Sequence, residues 1–145
     1  MARIFILNGV NLGALGERRP EVYGTRTLRD IEALLRGEFP DVEIEVRQTD
    51  FEGEFIAWIR ESASSDGLVV NPGAWTHYSY ALHDALLEML EVPKVEVHLS
   101  NVHAREEGWR RISVVSPVVD ATVTGMGAAG YISAIKYVLG RLAES

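Results

Sequence analysis

The chain has 145 residues, of which 47% are hydrophobic and 24% are charged, values that suit one globular domain with a sizeable core. Its net charge of −7 argues against nucleic acid as a main partner, because phosphate binding requires a basic surface. The sequence contains no cysteine, which excludes disulfides, thiolate catalysis and zinc–thiolate sites. A small anionic substrate remains compatible with this composition, since arginines cluster in two segments, 18–19 and 105–111.

No apolar run approaches the 18 residues of a membrane span, and the first predicted strand follows Met1 at once. We therefore predict a cytoplasmic protein with no membrane partner, organised as a single domain over residues 1–145.

Predicted strands and helices alternate along the chain without a linker or an internal repeat. The strands are predicted at 3–7, 42–47, 67–70, 94–98 and 119–124. The helices are predicted at 27–38, 53–64, 78–91 and 127–143. This alternation predicts a three-layer α/β, flavodoxin-like fold with a five-stranded parallel sheet of order 2-1-3-4-5 and helices on both faces. In such a sheet, ligands bind beyond the carboxyl ends of the strands, where the strand order reverses.

Two of the helices carry clear boundary signals. Thr27 is the predicted N-cap of the first helix, with Asp30 as the capping-box acid. The third helix has an apolar stripe at helical spacing, formed by Leu82, Leu86, Met89 and Leu90. Pro93 is expected to end that element.

The segment from 8 to 24 has neither a strand-like nor a helical apolar period. Loops longer than about 12–15 residues are uncommon in compact domains and are usually lids, binding loops or disordered linkers. Leu12 and Leu15 are apolar side chains that can pack against the domain, which favours a lid over a disordered linker. Tyr23 follows Arg18 and Arg19 closely, and a nearby cation lowers the pKa of a phenol, so Tyr23 is a candidate general base.

The fourth strand places Glu96 and His98 on one face, although strands of a parallel sheet are usually apolar on both faces. One interpretation is a solvent-facing edge strand. The other is a general acid, His98, supported by Glu96, since an imidazole can donate or accept a proton at cellular pH.

Two further loops follow strands three and four. The loop after strand four carries hydroxyl, amide and guanidinium groups suited to a carboxylate, on Ser100, Asn101, Arg105, Arg110 and Arg111. In the segment 71–79, Asn71 and His77 are placed to bind a ligand, and Thr76 or Ser79 can cap the next helix. The alternatives are a polar surface loop and a structural histidine.

Several other patterns carry less weight. Residues 125–130 match the dinucleotide motif G-x-G-x-x-G, but no second strand with an acidic residue follows, so a tight turn with close helix–sheet packing is expected instead. The histidine spacings match no metal motif, and no metal site is predicted. A G-x-S-x-G nucleophile elbow is absent.

From Ile4 to about Arg141 the chain resembles the type II 3-dehydroquinate dehydratases. The resemblance is carried by five motifs: N-G-x-N-L…L-G-x-R…P-x-x-Y-G at 8–24, R-Q-x-x…E-G-E at 47–54, N-P-G-A-x-T-H-x-S…A-L-x-D-A at 71–85, E-V-H-x-S-N-x-H-A-R-E-E at 96–107 and S-P…G-x-G…G-Y at 116–131.

The resemblance implies a lyase that converts 3-dehydroquinate to 3-dehydroshikimate by anti elimination through an enolate, without cofactor or metal. By position, Tyr23 would be the base, activated by Arg18 on the family's mobile lid. His98 would protonate the departing hydroxyl, with Glu96 in support. Asn11 would help to stabilise the enolate through a bridging water.

The resemblance also implies substrate-binding residues and an assembly. The substrate's hydroxyls and carboxylate would contact Asn71, His77, Leu99, Ser100 and Arg110. Asp84 would reach towards a neighbouring subunit's site, in a homododecamer built from trimers. The sequence does not separate a role in the shikimate pathway, and so in chorismate and aromatic amino acid biosynthesis, from one in quinate breakdown.

The chain departs from the family pattern at a few positions. Val10 stands where proline is usual, and Arg19 where glutamate is common, which adds a positive charge beside Tyr23. The run 108–112 is one residue longer than usual, which leaves Arg110 and Arg111 as alternative carboxylate ligands. Two other functions stay open: a non-catalytic binding module, and a relative that dehydrates a different cyclic keto acid.

Overall fold

The computed structural model describes residues 1–89 and 91–145. Its five strands form one parallel sheet of order β2-β1-β3-β4-β5, which confirms the predicted α/β topology. The strands are β1 (Arg3–Asn8), β2 (Glu43–Gln48), β3 (Gly67–Asn71), β4 (Lys94–His98) and β5 (Ala121–Thr124). The helices are α1 (Pro20–Tyr23), α2 (Leu28–Glu38), α3 (Glu52–Glu61), α4 (Tyr80–Leu87) and α5 (Ala129–Glu144).

Both faces of the sheet are covered, so successive strand residues pack into two different hydrophobic clusters. Ile4 and Ile6 of β1 face α2 and α5, whereas Phe5 and Leu7 face α3 and α4. All of these residues are at most 1% exposed. The central strands are therefore rigid supports for the loops that follow them.

Side-chain caps define where two helices begin. The Thr27 hydroxyl accepts a hydrogen bond from the backbone of Asp30, whose carboxylate accepts one from Thr27 N–H, which confirms the predicted capping box. Of the two candidate caps for α4, Ser79 is the one used, since its hydroxyl accepts from the Leu82 N–H.

The third predicted helix, 78–91, is shorter in the structure. α4 ends at Leu87, and the buried Lys94 ammonium donates to the carbonyls of Met89 and Val92 beyond it. A helical partner for the Met89 carbonyl would be the N–H of residue 93, which is a proline without an N–H, so the Lys94 ammonium supplies a donor there instead. Leu90, assigned to the buried stripe of this helix, lies outside the described residues.

The segment from 8 to 24 contains short helical turns, although its sequence has no apolar period that would indicate them. A 3₁₀ turn covers Leu12–Ala14, and the four-residue helix α1 ends at Tyr23. Leu12 and Leu15 are buried in the core cluster under α2 and α5. The loop is therefore anchored at its start, and it holds the Tyr23 end against the domain.

Candidate active site

A cleft opens at the carboxyl ends of β1, β3 and β4. Strand order reverses here, because β1 pairs with β2 on one side and with β3 on the other. The register aligns the three strand ends, with Asn8 beside Asn71 and Val70 beside Glu96. The predicted site residues that line this cleft are Asn11, Arg18, Tyr23, Asn71, His77, His98, Leu99, Ser100 and Arg110.

Tyr23 reaches the cleft from the end of α1. Pro20 occupies the first position of this helix, where its fixed φ and missing N–H cost nothing. The guanidinium carbon of Arg18 lies 4.7 Å from the centre of the Tyr23 ring. Nη1 of Arg105 donates a hydrogen bond of 3.3 Å to the phenol oxygen. The phenol is thus half-buried between two cations.

These surroundings lower the pKa of the Tyr23 phenol below the ordinary 10.0. Burial is the largest single influence and raises the pKa, since it disfavours the charged phenolate. The hydrogen bond from Arg105 and the charges of Arg18, Arg105 and Arg110 act in the opposite direction and together outweigh it. A larger fraction of phenolate at neutral pH makes Tyr23 a better general base.

Arg19, the extra positive charge noted in the sequence, is not among the main causes of this effect. Its Nε forms an ion pair of 3.1 Å with Glu21, and both side chains are mostly exposed. The main charges acting on Tyr23 are those of Arg18, Arg105 and Arg110.

His98 and Glu96 form a buried pair on the wall of the cleft. Nε2 of His98 lies 2.5 Å from Oε2 of Glu96, and Glu96 is 0% exposed. β4 lies between β3 and β5, so the solvent-facing edge strand considered above is wrong. Because the carboxylate accepts the Nε2 proton, it fixes the orientation of the ring.

Glu96 is held as a carboxylate by a set of hydroxyl donors. Burial alone would raise its pKa, but hydrogen bonds from His98, Ser116 and Thr76 together lower it below the usual 4.5. The Thr76 hydroxyl lies 2.5 Å from Oε2, and the Ser116 hydroxyl lies 2.6 Å from Oε1. Ser113 donates to the same carboxylate. A buried ionised carboxylate of this kind requires such partners.

His77 stacks above His98 on the side of the cleft. The ring centres are 6.5 Å apart and the planes differ by 18°. Nδ1 of His77 lies 2.7 Å from the Ile112 carbonyl oxygen, and burial is the main cause that lowers the pKa of this histidine. A neutral His77 donates through Nδ1, which leaves Nε2 as an acceptor for a ligand hydroxyl.

Two asparagines line the cleft in different ways. Asn11 has a left-handed backbone (φ 69°), and its N–H donates to the Asp50 carboxylate at 2.8 Å. Asn71 is 2% exposed, and its amide nitrogen donates to the Tyr131 hydroxyl at 2.9 Å. Its oxygen accepts from the Gly73 N–H. Asn71 thus joins the cleft wall to the core, while Asn11 stands at the cleft's edge.

The structure separates the two arginines that the sequence left as alternatives. Arg110 lines the cleft, and its Nε donates to the Glu107 carboxylate at 2.9 Å. The guanidinium of Arg111 donates to the backbone carbonyls of His103 and Arg105. Arg111 therefore supports the loop rather than facing the cleft.

Asp84 is not part of this cleft. It lies on α4 with its side chain 74% exposed, and its carboxylate pairs with Nδ1 of His83 at 2.9 Å. Within one chain it is directed away from the other site residues.

A family model described as dehydroquinase class II matches residues 2–139 of this chain. The chain belongs to the class II dehydroquinase family. Full-length relatives agree with this assignment. A 3-dehydroquinate dehydratase of Desulfitobacterium hafniense is 47% identical over 99% of both chains, and one of Kineococcus radiotolerans is 53% identical over 97% of both.

Solved structures of class II dehydroquinases share the fold of this chain. The type II dehydroquinase of Butyrivibrio crossotus is 40% identical, with a TM-score of 0.91 over 94% of this chain and 97% of its own. That of Propionibacterium acnes is 43% identical, with a TM-score of 0.88 over 96% and 97% of the two chains.

Sequence reasoning grouped Arg105 with the candidate carboxylate ligands and missed its contact with Tyr23. Arg105 belonged to the basic segment 105–111, but nothing local linked it to Tyr23, which lies 82 positions earlier in the chain. Thr76, Ser113 and Ser116, which hold Glu96, were missed for the same reason. Their one available signal was the need of a buried glutamate for several donors.

The G-x-G-x-x-G segment serves as a turn and a packing site, as the sequence predicts. Gly125 and Gly127 have φ values of +87° and +58°, which favour glycine. A Cβ on Gly130 would lie 3.2 Å from Cγ1 of Val123 and 3.4 Å from that of Val97, so glycine allows α5 to approach the sheet closely.

Within residues 1–89 and 91–145, no three or more side chains of the His, Cys, Asp or Glu types are grouped so that they could hold a metal ion. None of the helices in this range has the length and apolar character that crossing a membrane requires.

Proposed function

We propose that this chain is a 3-dehydroquinate dehydratase, a hydro-lyase that forms 3-dehydroshikimate, and that the whole chain acts as one catalytic domain. The family and its named relatives support the substrate. The observation that carries the proposal is that a phenol between two guanidinium groups and an imidazole on a buried carboxylate line one cleft.

In the first step, the Tyr23 phenolate removes a proton from the carbon next to the substrate ketone. Such a proton is only weakly acidic, so the step needs a base of lowered pKa and stabilisation of the enolate oxygen. Arg105 and Arg18 lower the pKa of the base. The amide of Asn11 stabilises the enolate oxygen through a bridging water, as in the family.

In the second step, the enolate re-forms the ketone and expels the β-hydroxyl. His98 donates its proton to this hydroxyl, which leaves as water, and the conjugated enone remains. Glu96 holds Nε2 of His98 and so orients the ring for the transfer. An anti elimination requires the base and the acid to act on opposite faces of the substrate ring.

Substrate binding uses the remaining cleft residues. Arg110 is suited to the carboxylate, since a guanidinium binds carboxylates in bidentate fashion. The hydroxyls of the substrate would contact Asn71, His77, Ser100 and the backbone of Leu99.

We also propose that the chain forms a homo-oligomer, a dodecamer built from trimers. This part of the proposal rests on the family resemblance. The exposed Asp84 would then approach a neighbouring subunit's cleft. The shikimate pathway is the implied context, with quinate breakdown as the alternative. The cytoplasmic location stays a prediction from the sequence.

The proposal is tested by adding purified protein to 3-dehydroquinate and recording the absorbance of the conjugated enone. Turnover is expected, and other cyclic hydroxy-keto carboxylates should react far more slowly. Binding of 3-dehydroquinate without turnover would instead support a binding module. Faster turnover of another keto acid would identify a relative with a different substrate.

A further inference from the structure

A buried network of polar side chains joins one wall of the cleft to the core of the domain. It consists of Asn8 at the end of β1, Asn71 at the end of β3 and Tyr131 on α5. Each of these residues is at most 2% exposed. Asn71 lines the cleft, whereas Asn8 and Tyr131 do not. The elimination proposed above gives these two buried residues no part in binding or catalysis.

The direction of each hydrogen bond in this network is set by the backbone groups at its two ends. Nδ2 of Asn8 donates to the Arg47 carbonyl oxygen at 3.1 Å, and a carbonyl oxygen can only accept. Oδ1 of Asn8 therefore faces the Tyr131 hydroxyl, which donates to it at 2.6 Å. Nδ2 of Asn71 donates to the same phenol oxygen at 2.9 Å. At the other end, Oδ1 of Asn71 accepts from the Gly73 N–H, which can only donate, at 3.2 Å.

The Tyr131 hydroxyl can hold the middle of this network because it stays protonated. Burial raises the pKa of its phenol above the ordinary 10.0, and the hydrogen bond from Asn71 opposes this effect only in part. The hydroxyl therefore keeps one proton to donate to Asn8 and has lone pairs that accept from Asn71. Rotating either amide would leave buried polar atoms without partners, which is costly, so the network resists such a rotation.

We infer that Tyr131 is a positioning residue for substrate binding, which fixes the amide of Asn71 so that Asn71 donates a hydrogen bond to the substrate. Nδ2 of Asn71 has two N–H groups, and Tyr131 accepts from one of them. The second N–H is left for an oxygen atom of the substrate. If the amide were turned over, its nitrogen would face the Gly73 N–H, and two donors would meet. The inference rests on the proposed function, since the substrate concerned is 3-dehydroquinate.

The variant Tyr131→Phe removes the hydroxyl and keeps the ring that fills the core. We expect its KM for 3-dehydroquinate to rise by about fivefold, the usual effect of weakening one hydrogen bond. Its kcat should be unchanged, because a contact made equally by substrate and transition state affects binding alone. Tyr137→Phe is the matched control on the same helix, since the Tyr137 hydroxyl accepts from Arg141 at 2.8 Å on the surface. It should have the wild-type KM and kcat.

A double variant separates positioning through Asn71 from a merely structural role. If Tyr131 acts through Asn71, then Tyr131→Phe should raise KM no further in a protein that already carries Asn71→Ala. A general loosening of the core would instead raise KM by the same factor in both backgrounds. That additive result, or a wild-type KM for the single variant Tyr131→Phe, would overturn the inference.

Neutron diffraction from crystals of the wild-type protein tests the orientation of the amide without a variant or a substrate. The hydroxyl deuterium of Tyr131 should point towards Oδ1 of Asn8, and Nδ2 of Asn71 should face the phenol oxygen. An Asn71 amide with its oxygen towards Tyr131 would overturn the inference. Failure of the wild-type protein to dehydrate 3-dehydroquinate is a separate outcome that contradicts the proposed function, and the diffraction result would still show whether Tyr131 fixes the amide.

Discussion

At the scale of single residues, the chemistry depends on a phenol that must lose its proton near neutral pH. Tyr23 is half-buried, which alone would work against ionisation. Arg105 opposes that effect through a direct hydrogen bond, whereas Arg18 lies against the ring and contributes through its charge. The two arginines therefore have separable effects on the same base.

Replacing Arg105 with methionine should raise the pKa of Tyr23, because the variant loses a hydrogen bond and a charge that favour the phenolate. The acidic limb of the pH profile of kcat/KM, which reports the free enzyme's base, should move to higher pH. At pH 7 we expect kcat/KM to fall by about tenfold. The measurement is the dehydration rate of 3-dehydroquinate between acid and alkaline pH.

Arg36→Met is the matched control for this prediction. Arg36 lies on α2, pairs with Glu32 at 2.8 Å and is half-exposed, so the variant loses the same charge far from the cleft. Its pH profile should match that of the wild-type protein. An unshifted limb in Arg105→Met would show that Arg105 does not control the base.

At the scale of elements, β4 holds the acid of the reaction in a buried strand. Its inward carboxylate, Glu96, has a pKa below 4.5 because hydrogen bonds from His98, Ser116 and Thr76 outweigh the effect of burial. A group whose pKa is lower in the folded state stabilises the fold above its unfolded pKa. That stabilisation is lost as the pH falls through the folded value.

The Glu96→Gln variant should therefore be less stable than the wild-type protein at pH 7, by about 1–3 kcal/mol. The difference should shrink below pH 4.5, where wild-type Glu96 begins to lose its advantage. Urea unfolding at a series of pH values measures both quantities. Glu88→Gln, at an exposed position after α4, should show neither effect, and a difference for Glu96→Gln that stays constant with pH would refute the linkage.

Elements also show what the sequence could and could not predict. The strands were predicted to within two residues, and β1 and β3, which are buried on both faces, gave the clearest signal as nearly continuous apolar runs. The end of α4 at Leu87 was missed, because the buried apolar stripe continues beyond it to Met89. The contact between Arg105 and Tyr23 joins distant loops, and no local pattern encodes it.

At the scale of the whole molecule, the sheet order brings the catalytic loops to one edge, and close packing of α5 keeps the sheet in place. Gly67, at the start of β3, shows how little space this packing leaves. A Cβ added there would lie 2.3 Å from Cγ1 of Val138 on α5. Val138 is fully buried and β-branched, so it cannot move aside easily.

We expect Gly67→Ala to destabilise the protein by about 1–3 kcal/mol, the usual effect of overpacking a core. Gly37→Ala is the contrasting variant, because Gly37 is exposed near the end of α2 and nothing lies within 4 Å of its added Cβ. It should stabilise the helix by about 0.5–1 kcal/mol. Equilibrium unfolding in urea measures both changes, and similar effects for the two variants would contradict this description of the packing.

The most direct test of the central claim is the dehydration rate of 3-dehydroquinate by Tyr23→Phe, compared with the wild-type protein and with Tyr80→Phe. Tyr80 is 73% exposed on α4 and serves as the control for loss of a phenol hydroxyl. The variant without the Tyr23 hydroxyl should lose about 10²–10⁴-fold in kcat. Its circular dichroism spectrum should be unchanged, and Tyr80→Phe should retain wild-type activity. A wild-type rate for Tyr23→Phe would contradict the assignment of Tyr23 as the base.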